Sequence, residues 1–179
     1  PDLNETITVP EDIFEELTAK DASVAGFNPY EQPTVRDLLY GVLLPSGADA
    51  CETLARAVGG SEEGFVAMMN QKAEELGLTN THFENCTGLH NDNHYSTCRD
   101  IAVLMSECLK SDTFREIVTR EVYTTEATAS HPEGITLYDT MLHRFTSYEM
   151  STTLENGAVI EGGKTGFTDE AGQCLVSFA

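Results

Sequence analysis

The chain has 179 residues, 40% of them hydrophobic, enough for one globular domain with a buried core. Asp and Glu number 30 against 10 Lys and Arg, a formal charge of −20, and no stretch gathers the basic residues into a stripe, so a phosphate backbone is excluded as a partner and no nucleic acid is expected. The longest apolar runs, such as residues 38–45, are too short to span a bilayer, and no charged-then-apolar leader opens the chain, which therefore reads as a soluble domain. It begins at Pro1 without a methionine and stops inside the apolar run Leu175-Val176-Ser177-Phe178-Ala179, so both ends read as cut, and membrane association is expected only through segments absent from this chain.

Residues 5–9 alternate polar and apolar and predict a strand. Residues 34–44 predict a helix with Thr34 as N-cap, Asp37 as its capping-box partner, and Leu38, Leu39, Val42 and Leu43 on one face, ended by Pro45. A second helix fits residues 49–58, capped by Asp49, with Leu54 and Ala57 inward and Gly59-Gly60 as its stop. Ser46-Gly47-Ala48 is left as a short break between the two. Ser61, followed by Glu62 and Glu63 at the positive end of the helix dipole, caps a third helix with Phe65, Met68, Met69, Ala73 and Leu76 inward and Gly77 after it. Thr97 and Asp100 open a fourth, carrying Ile101, Leu104, Met105, Cys108 and Leu109 at helical spacing, and a short helix over 113–119 follows.

The period then changes to two. Residues 122–125 and 135–138 read as strands, and residues 155–179 as two strands joined tightly at Asp169-Glu170-Ala171-Gly172. Helices in the middle with strands near both ends make an α+β layout rather than βαβ winding. Five cysteines, Cys51, Cys86, Cys98, Cys108 and Cys174, stand at irregular spacing with no CxxC pair, which predicts neither a disulfide framework nor a zinc knuckle; Cys51 and Cys108 fall on apolar helical faces as small hydrophobes. His90 and His94 are four apart, but the Asn91-Asp92-Asn93 interior forms turns rather than helix, so the pair is not expected to converge on a metal, and no metal or other cofactor is expected. Met68, Met69 and Met105 read as core.

Two short motifs carry the chemistry. Ser46 alone, after a proline at a helix break, reads as a turn residue, and Lys164 alone as a solvated hairpin lysine. Ser46-Gly47-Ala48 between helices together with Lys164-Thr165-Gly166 on a strand more than a hundred residues later match two signatures of penicillin-recognising serine hydrolases. The run TVRDLLYGVLLPSGADACETLARAVGGSEEGFVAMMNQKAEELGLTNTHFENCTGLHNDNHYSTCRDIA resembles, nearly end to end, the D-alanyl-D-alanine carboxypeptidases among the low-molecular-mass penicillin-binding proteins, and IEGGKTGFTDEAGQCLVSFA resembles their last active-site strand and the strand after it.

The resemblance implies a β-lactamase/transpeptidase-like fold, an antiparallel sheet flanked by helices, in which this chain is an incomplete penicillin-binding carboxypeptidase domain: about residues 20–120 mainly helical and about 121–179 strands. It implies hydrolysis of the terminal D-alanine from peptidoglycan stem peptides through a serine ester, acylation of the same serine by β-lactams, and a place outside the cytoplasm, at the outer face of the bacterial cytoplasmic membrane. Lys164 would meet the substrate carboxylate or raise the local positive potential, with Thr165 and Thr168 as further donors. Gly162, Gly163 and Gly166 would let an extended peptide lie close, and the backbone N–H of Phe167 would serve the oxyanion hole. Ser46 would relay a proton between the nucleophile and the leaving amine.

Two departures qualify the match. The family's nucleophile stands three residues before a lysine that acts as base, yet Leu17, Met69, Glu107 and Glu161 precede the four lysines at that distance, so the chain contains no Ser-x-x-Lys and is expected to be inactive as it stands. Ala48 occupies a position where the family usually has an asparagine that orients the substrate amide. A non-catalytic cell-wall-binding homologue, or a β-lactamase or esterase on the same fold, are the alternatives.

Overall fold

The computed structural model describes residues 2–179. Helices come first: α1 (Ile13–Ala19), α2 (Val35–Leu43), α3 (Ala48–Gly59), α4 (Glu62–Glu75), α5 (Cys98–Cys108) and α6 (Asp112–Val118). Strands β1 (Val122–Thr124) and β2 (Thr136–Tyr138), helix α7 (Leu142–Ser147), and strands β3 (Gly162–Thr168) and β4 (Gly172–Phe178) follow. β1 pairs antiparallel with β2, and β3 with β4 in a register that sets Lys164 opposite Val176 and closes on Gly172 at φ +68°. The mixed α+β layout is the one read from the periodicity.

The helix starts follow from their caps. The Thr34 hydroxyl accepts the Asp37 N–H at 3.1 Å while the Asp37 carboxylate accepts the Thr34 N–H at 3.3 Å, so two otherwise orphaned donors are met reciprocally. Ser61 and Thr97 cap α4 and α5 in the same manner, by accepting the N–H of Gly64 and Asp100. Asp37 is fully buried and also accepts the Tyr123 hydroxyl at 2.9 Å and the Glu126 N–H at 3.2 Å, which ties the start of α2 to β1. Above that bond Tyr40 stacks on Tyr123 with ring centroids 3.6 Å apart. The core gathers Val9, Ile13, Leu17, Phe27, Leu38, Leu44, Ile117 and Leu137 around α2.

Several expectations are corrected. Residues 5–9 form no regular strand; they run beside residues 31–34 with a single bridge, Thr6 to Thr34, although Ile7 and Val9 donate to the carbonyls of Pro33 and Glu31. Pro33 has no N–H to return, so a ladder cannot propagate there. α1 and α7 were not read from the sequence, and Asp12 and Met141 at their N-caps make no side-chain cap bond. Ala57 is exposed, and the buried arc of α3 runs instead through Ala48, Asp49, Ala50, Glu52, Thr53 and Ala55, because the helix packs against α1, α2 and α4 at once. Met68 is exposed and Met69 half-buried, since α4 lies outside α3 and buries only Ala73 fully; Met105 is core. Residues 155–161 precede β3 without forming a strand; Val159 makes an isolated bridge to Thr153, and only the Glu161 N–H reaches the hairpin, at Phe178 O, 3.0 Å.

Candidate active site

The break between α2 and α3 is built tightly. Ser46 sits at φ +63°, in the left-handed region that a residue with a Cβ rarely occupies, a strain on the order of 1–3 kcal/mol that the surroundings must hold. What holds it is on both sides: the Gly47 N–H donates to Gly41 O at 2.8 Å and the Ala48 N–H to Ser23 O at 2.8 Å. A Cβ on Gly47 would stand 2.7 Å from the backbone nitrogen of Ala25, so only glycine passes there. Asp49, expected as a helix cap, does something else. Its fully buried carboxylate accepts the N–H groups of Ala25 at 2.7 Å and of Gly26 and Phe27 at 3.0 Å each, locking segment 25–27 onto the first turn of α3, while Gly47 takes the N-cap position without a side chain.

Lys164 comes to this break from β3. Its Nζ donates to Ser46 Oγ across 118 positions of sequence and to the Thr165 carbonyl at 2.9 Å. Burial holds the ammonium below the usual lysine range, against the opposing pull of the Asp139 carboxylate. Asp139 is itself buried and pushed up by desolvation, although it accepts the N–H groups of Met141 at 2.9 Å and Leu142 at 2.6 Å at the start of α7. Next to it, the Thr140 hydroxyl hydrogen bonds the Thr165 hydroxyl at 2.5 Å. Asp139 and Thr140 carried no sequence signal: they lie between β2 and a helix too short to show a period.

These groups open onto a cleft of about 740 Å³ between the helices and the β3–β4 hairpin. Ser46, Lys164, Thr165, Gly166, Phe167 and Thr168 all line it, together with Ala48, 5% exposed. Thr168 spends one lone pair on the Ala171 N–H at 3.0 Å and so also shapes the hairpin turn. The Phe167 side chain is 63% exposed. Gly166 leaves open space, a Cβ there meeting nothing closer than Cys174 Cβ at 3.6 Å. Gly162 and Gly163 do not line the cleft, contrary to the expectation that a bound peptide would approach them. Both are buried, and a side chain at either would collide with the protein itself, at 2.4 Å from the Val118 carbonyl and 2.9 Å from Met141 Sδ respectively.

The cleft is cationic relative to its surroundings. Arg144 and Lys164 line it against Asp21 as the one carboxylate among the lining residues, in a chain of net charge −20. His94 lines it as well, its Nδ1 accepting the Glu84 N–H at 3.3 Å, and burial lowers its pKa. His90 is turned to Asp92 and Glu170, so the two histidines do not meet.

Comparison with known proteins gives concordant matches. The family model Peptidase_S11, D-alanyl-D-alanine carboxypeptidase, matches residues 2–179. The D-alanyl-D-alanine carboxypeptidase DacF of Bacillus subtilis is 37% identical over 152 residues, 84% of this chain and 36% of the relative. The D-alanyl-D-alanine carboxypeptidase of Streptomyces sp. K15 is 35% identical over 180 residues, 97% of this chain and 60% of the relative. The crystal structure of the Streptomyces K15 DD-transpeptidase superposes with a TM-score of 0.84 at 34% identity, covering 99% of this chain and 67% of that one. The fold is therefore that of the DD-peptidases, and the chain spans between about a third and three fifths of the length of these two curated relatives.

Proposed function

Because the chain belongs to the D-alanyl-D-alanine carboxypeptidase family, Peptidase_S11, we propose that its cleft is part of a serine-type acyl-transfer site that removes the terminal D-alanine from peptidoglycan stem peptides and is acylated by β-lactams. The observation that carries this reading is the hydrogen bond from Lys164 Nζ to Ser46 Oγ at the mouth of a cleft richer in cations than in acids. A peptide ending in a free carboxylate is attracted by Lys164 and Arg144, and Thr165 and Thr168 offer hydroxyls beside them. Phe167, on the exposed stretch of β3, would give its N–H to the developing oxyanion, with Gly166 keeping the strand open to the substrate backbone.

In this scheme a serine from a Ser-x-x-Lys segment, which these 179 residues do not contain, attacks the carbonyl of the penultimate D-alanine. The peptide C–N bond breaks, an ester forms, and the leaving amine takes the proton through Ser46, whose hydroxyl is already held by Lys164. Water then hydrolyses the ester. A partly desolvated ammonium, depressed by burial, is suited to passing a proton along such a chain. Peptidoglycan is the partner, which places the work outside the cytoplasm, at the outer face of the bacterial cytoplasmic membrane; among the described residues no helix is long and apolar enough to cross a membrane.

The test is intact-mass analysis after incubation with a penicillin, alongside D-alanine release from a D-Ala-D-Ala peptide. The 179-residue chain is expected to give neither adduct nor release, and a polypeptide that joins it to a Ser-x-x-Lys segment to give both, with the acyl group on that serine. An adduct mapped to Ser46 would make Ser46 the nucleophile and Lys164 its base, and the relay role would be wrong.

A further inference from the structure

A second cluster of reactive side chains lies at the other wall of the cleft and has no part in the scheme above. Glu52 of α3, Glu62 at the start of α4 and Cys86 of the loop 83–89 each present one donor atom, all within 4.8 Å of one another. Glu52 is only 7% exposed, and its Oε2 has no hydrogen-bond partner among the described residues; Arg56 Nε stands 3.5 Å away without hydrogen-bond geometry. Its Oε1 faces Cys86 Sγ at 3.6 Å, and Glu62 Oε1 accepts the Cys86 N–H at 3.1 Å. Cys51, the residue before Glu52 on α3, sets its thiol 2.9 Å from the Cys86 carbonyl.

With protons alone this arrangement is uncomfortable. The buried Glu52 Oε2 has only the 3.5 Å ion pair with Arg56 and no hydrogen bond, so it is under-satisfied unless something else meets it. A divalent cation would meet it. Two carboxylates and one thiolate carry three negative charges, of which a divalent ion neutralises two, while Arg56, bound to Asp12 at 2.7 Å, lends Glu52 a longer ion pair at 3.5 Å.

We propose that Glu52, Glu62 and Cys86 form a binding site for a thiophilic divalent cation, with zinc the best match, clasping α3, the start of α4 and the loop 83–89 along the cleft wall. The mixed sulfur and oxygen donors select a borderline-soft ion over calcium or magnesium, which take oxygen alone. Tetrahedral bonds of about 2.0–2.3 Å place donor atoms about 3.3–3.8 Å apart, so the cluster closes with side-chain shifts of about 1 Å. Binding ionises the Cys86 thiol and releases its proton to solvent. A water completes the fourth position, the Cys51 thiol staying on the Cys86 carbonyl. Because Cys51 and Cys86 both line the cleft, the ion would fix the wall that faces Lys164. The proposal is independent of the acyl-transfer reading, since its donors are distinct from Ser46 and Lys164.

The test is anaerobic titration of the reduced protein with Co²⁺, followed by the thiolate-to-cobalt charge-transfer absorption, and then displacement by Zn²⁺ in competition with a chromophoric chelator. One equivalent per chain is expected. Cys86→Ser should abolish the band, Glu62→Gln should weaken binding about 10-fold or more, and Cys98→Ser and Cys174→Ser should leave it unchanged. Zinc should also raise the Tm of the unsubstituted protein and of Cys98→Ser. Glu62→Gln, at a half-exposed position on the first turn of α4, keeps the test readable if Cys86→Ser does not fold. Absence of a stoichiometric band, a band that survives Cys86→Ser, or a Cys51–Cys86 disulfide found by non-reducing peptide mapping of the protein as purified would each overturn the proposal.

Discussion

Asp49→Ala tests whether the buried carboxylate is what holds the wall behind Ser46. Three N–H groups lose their acceptor in the variant. Gly26 is exposed, so water can take over its bond, but Ala25 and Phe27 are 9% and 2% exposed and their N–H groups have nowhere to turn. Each unpaired buried donor costs about 1–3 kcal/mol, which puts the loss near 4 kcal/mol, a large share of the stability of an ordinary domain. Asp49→Asn keeps one acceptor oxygen but turns an amide NH₂ toward the same donors, and about half that loss is expected. Urea unfolding at neutral pH reads both, from the shift in midpoint at constant m. If Asp49→Ala costs less than about 1 kcal/mol, segment 25–27 is held by something other than this carboxylate, and the account of the Ser46 turn fails with it.

Three further outcomes are expected. In a protein that carries the Ser-x-x-Lys segment, Lys164→Ala should lower kcat/KM by about 10²-fold or more, whereas Lys110→Ala, which removes only a surface pair with Glu107, should leave it unchanged; equal effects would reduce Lys164 to a surface charge. Ala48→Asn, at a buried position on the cleft wall, should restore a substrate amide contact of about 0.5–1.5 kcal/mol, up to about tenfold faster acylation, seen only with substrates that carry the matching amide; no gain would mean the cleft is built around alanine. Burial holds His94 below the ordinary histidine value of 6.5, so the unfolded chain takes up this proton first and stability should fall as pH drops through that value. His94→Asn should flatten that acid limb of the stability curve, and an unchanged limb would place the titration elsewhere.

Local side-chain chemistry made part of this structure legible. Thr34 with Asp37, Ser61 and Thr97 announce helix starts because a short polar side chain accepting an N–H is a property of a few consecutive residues, and Gly60, left-handed at φ +78°, announces a stop for the same reason. Ser46-Gly47-Ala48 and Lys164-Thr165-Gly166 were visible as motifs, but not the hydrogen bond that joins them. What stayed hidden depends on distant partners. Asp49 looks like a cap until segment 25–27 is seen lying against it, and Gly162 and Gly163 look like room for a substrate until Val118 and Met141 fill the space. Glu62 and Cys86 read in sequence as a first-turn acid and a stray thiol, and only the packing of α3, α4 and the loop 83–89 gathers them with Glu52.

The bonds of Asp37 also bear on how the chain reaches its native state. The reciprocal pair with Thr34 forms within one turn, so the start of α2 can be organised early, at little loop-closure cost. The remaining oxygen, however, receives the Tyr123 hydroxyl and the Glu126 N–H, contacts separated by 86 and 89 positions. Until those residues arrive, the carboxylate must stay wet, and Leu38 and Tyr40 beside it cannot be sealed from water. Burial of the helical core is thus conditional on the return of the strand segment, so the two regions should gain and lose structure in a single cooperative step rather than as successive units.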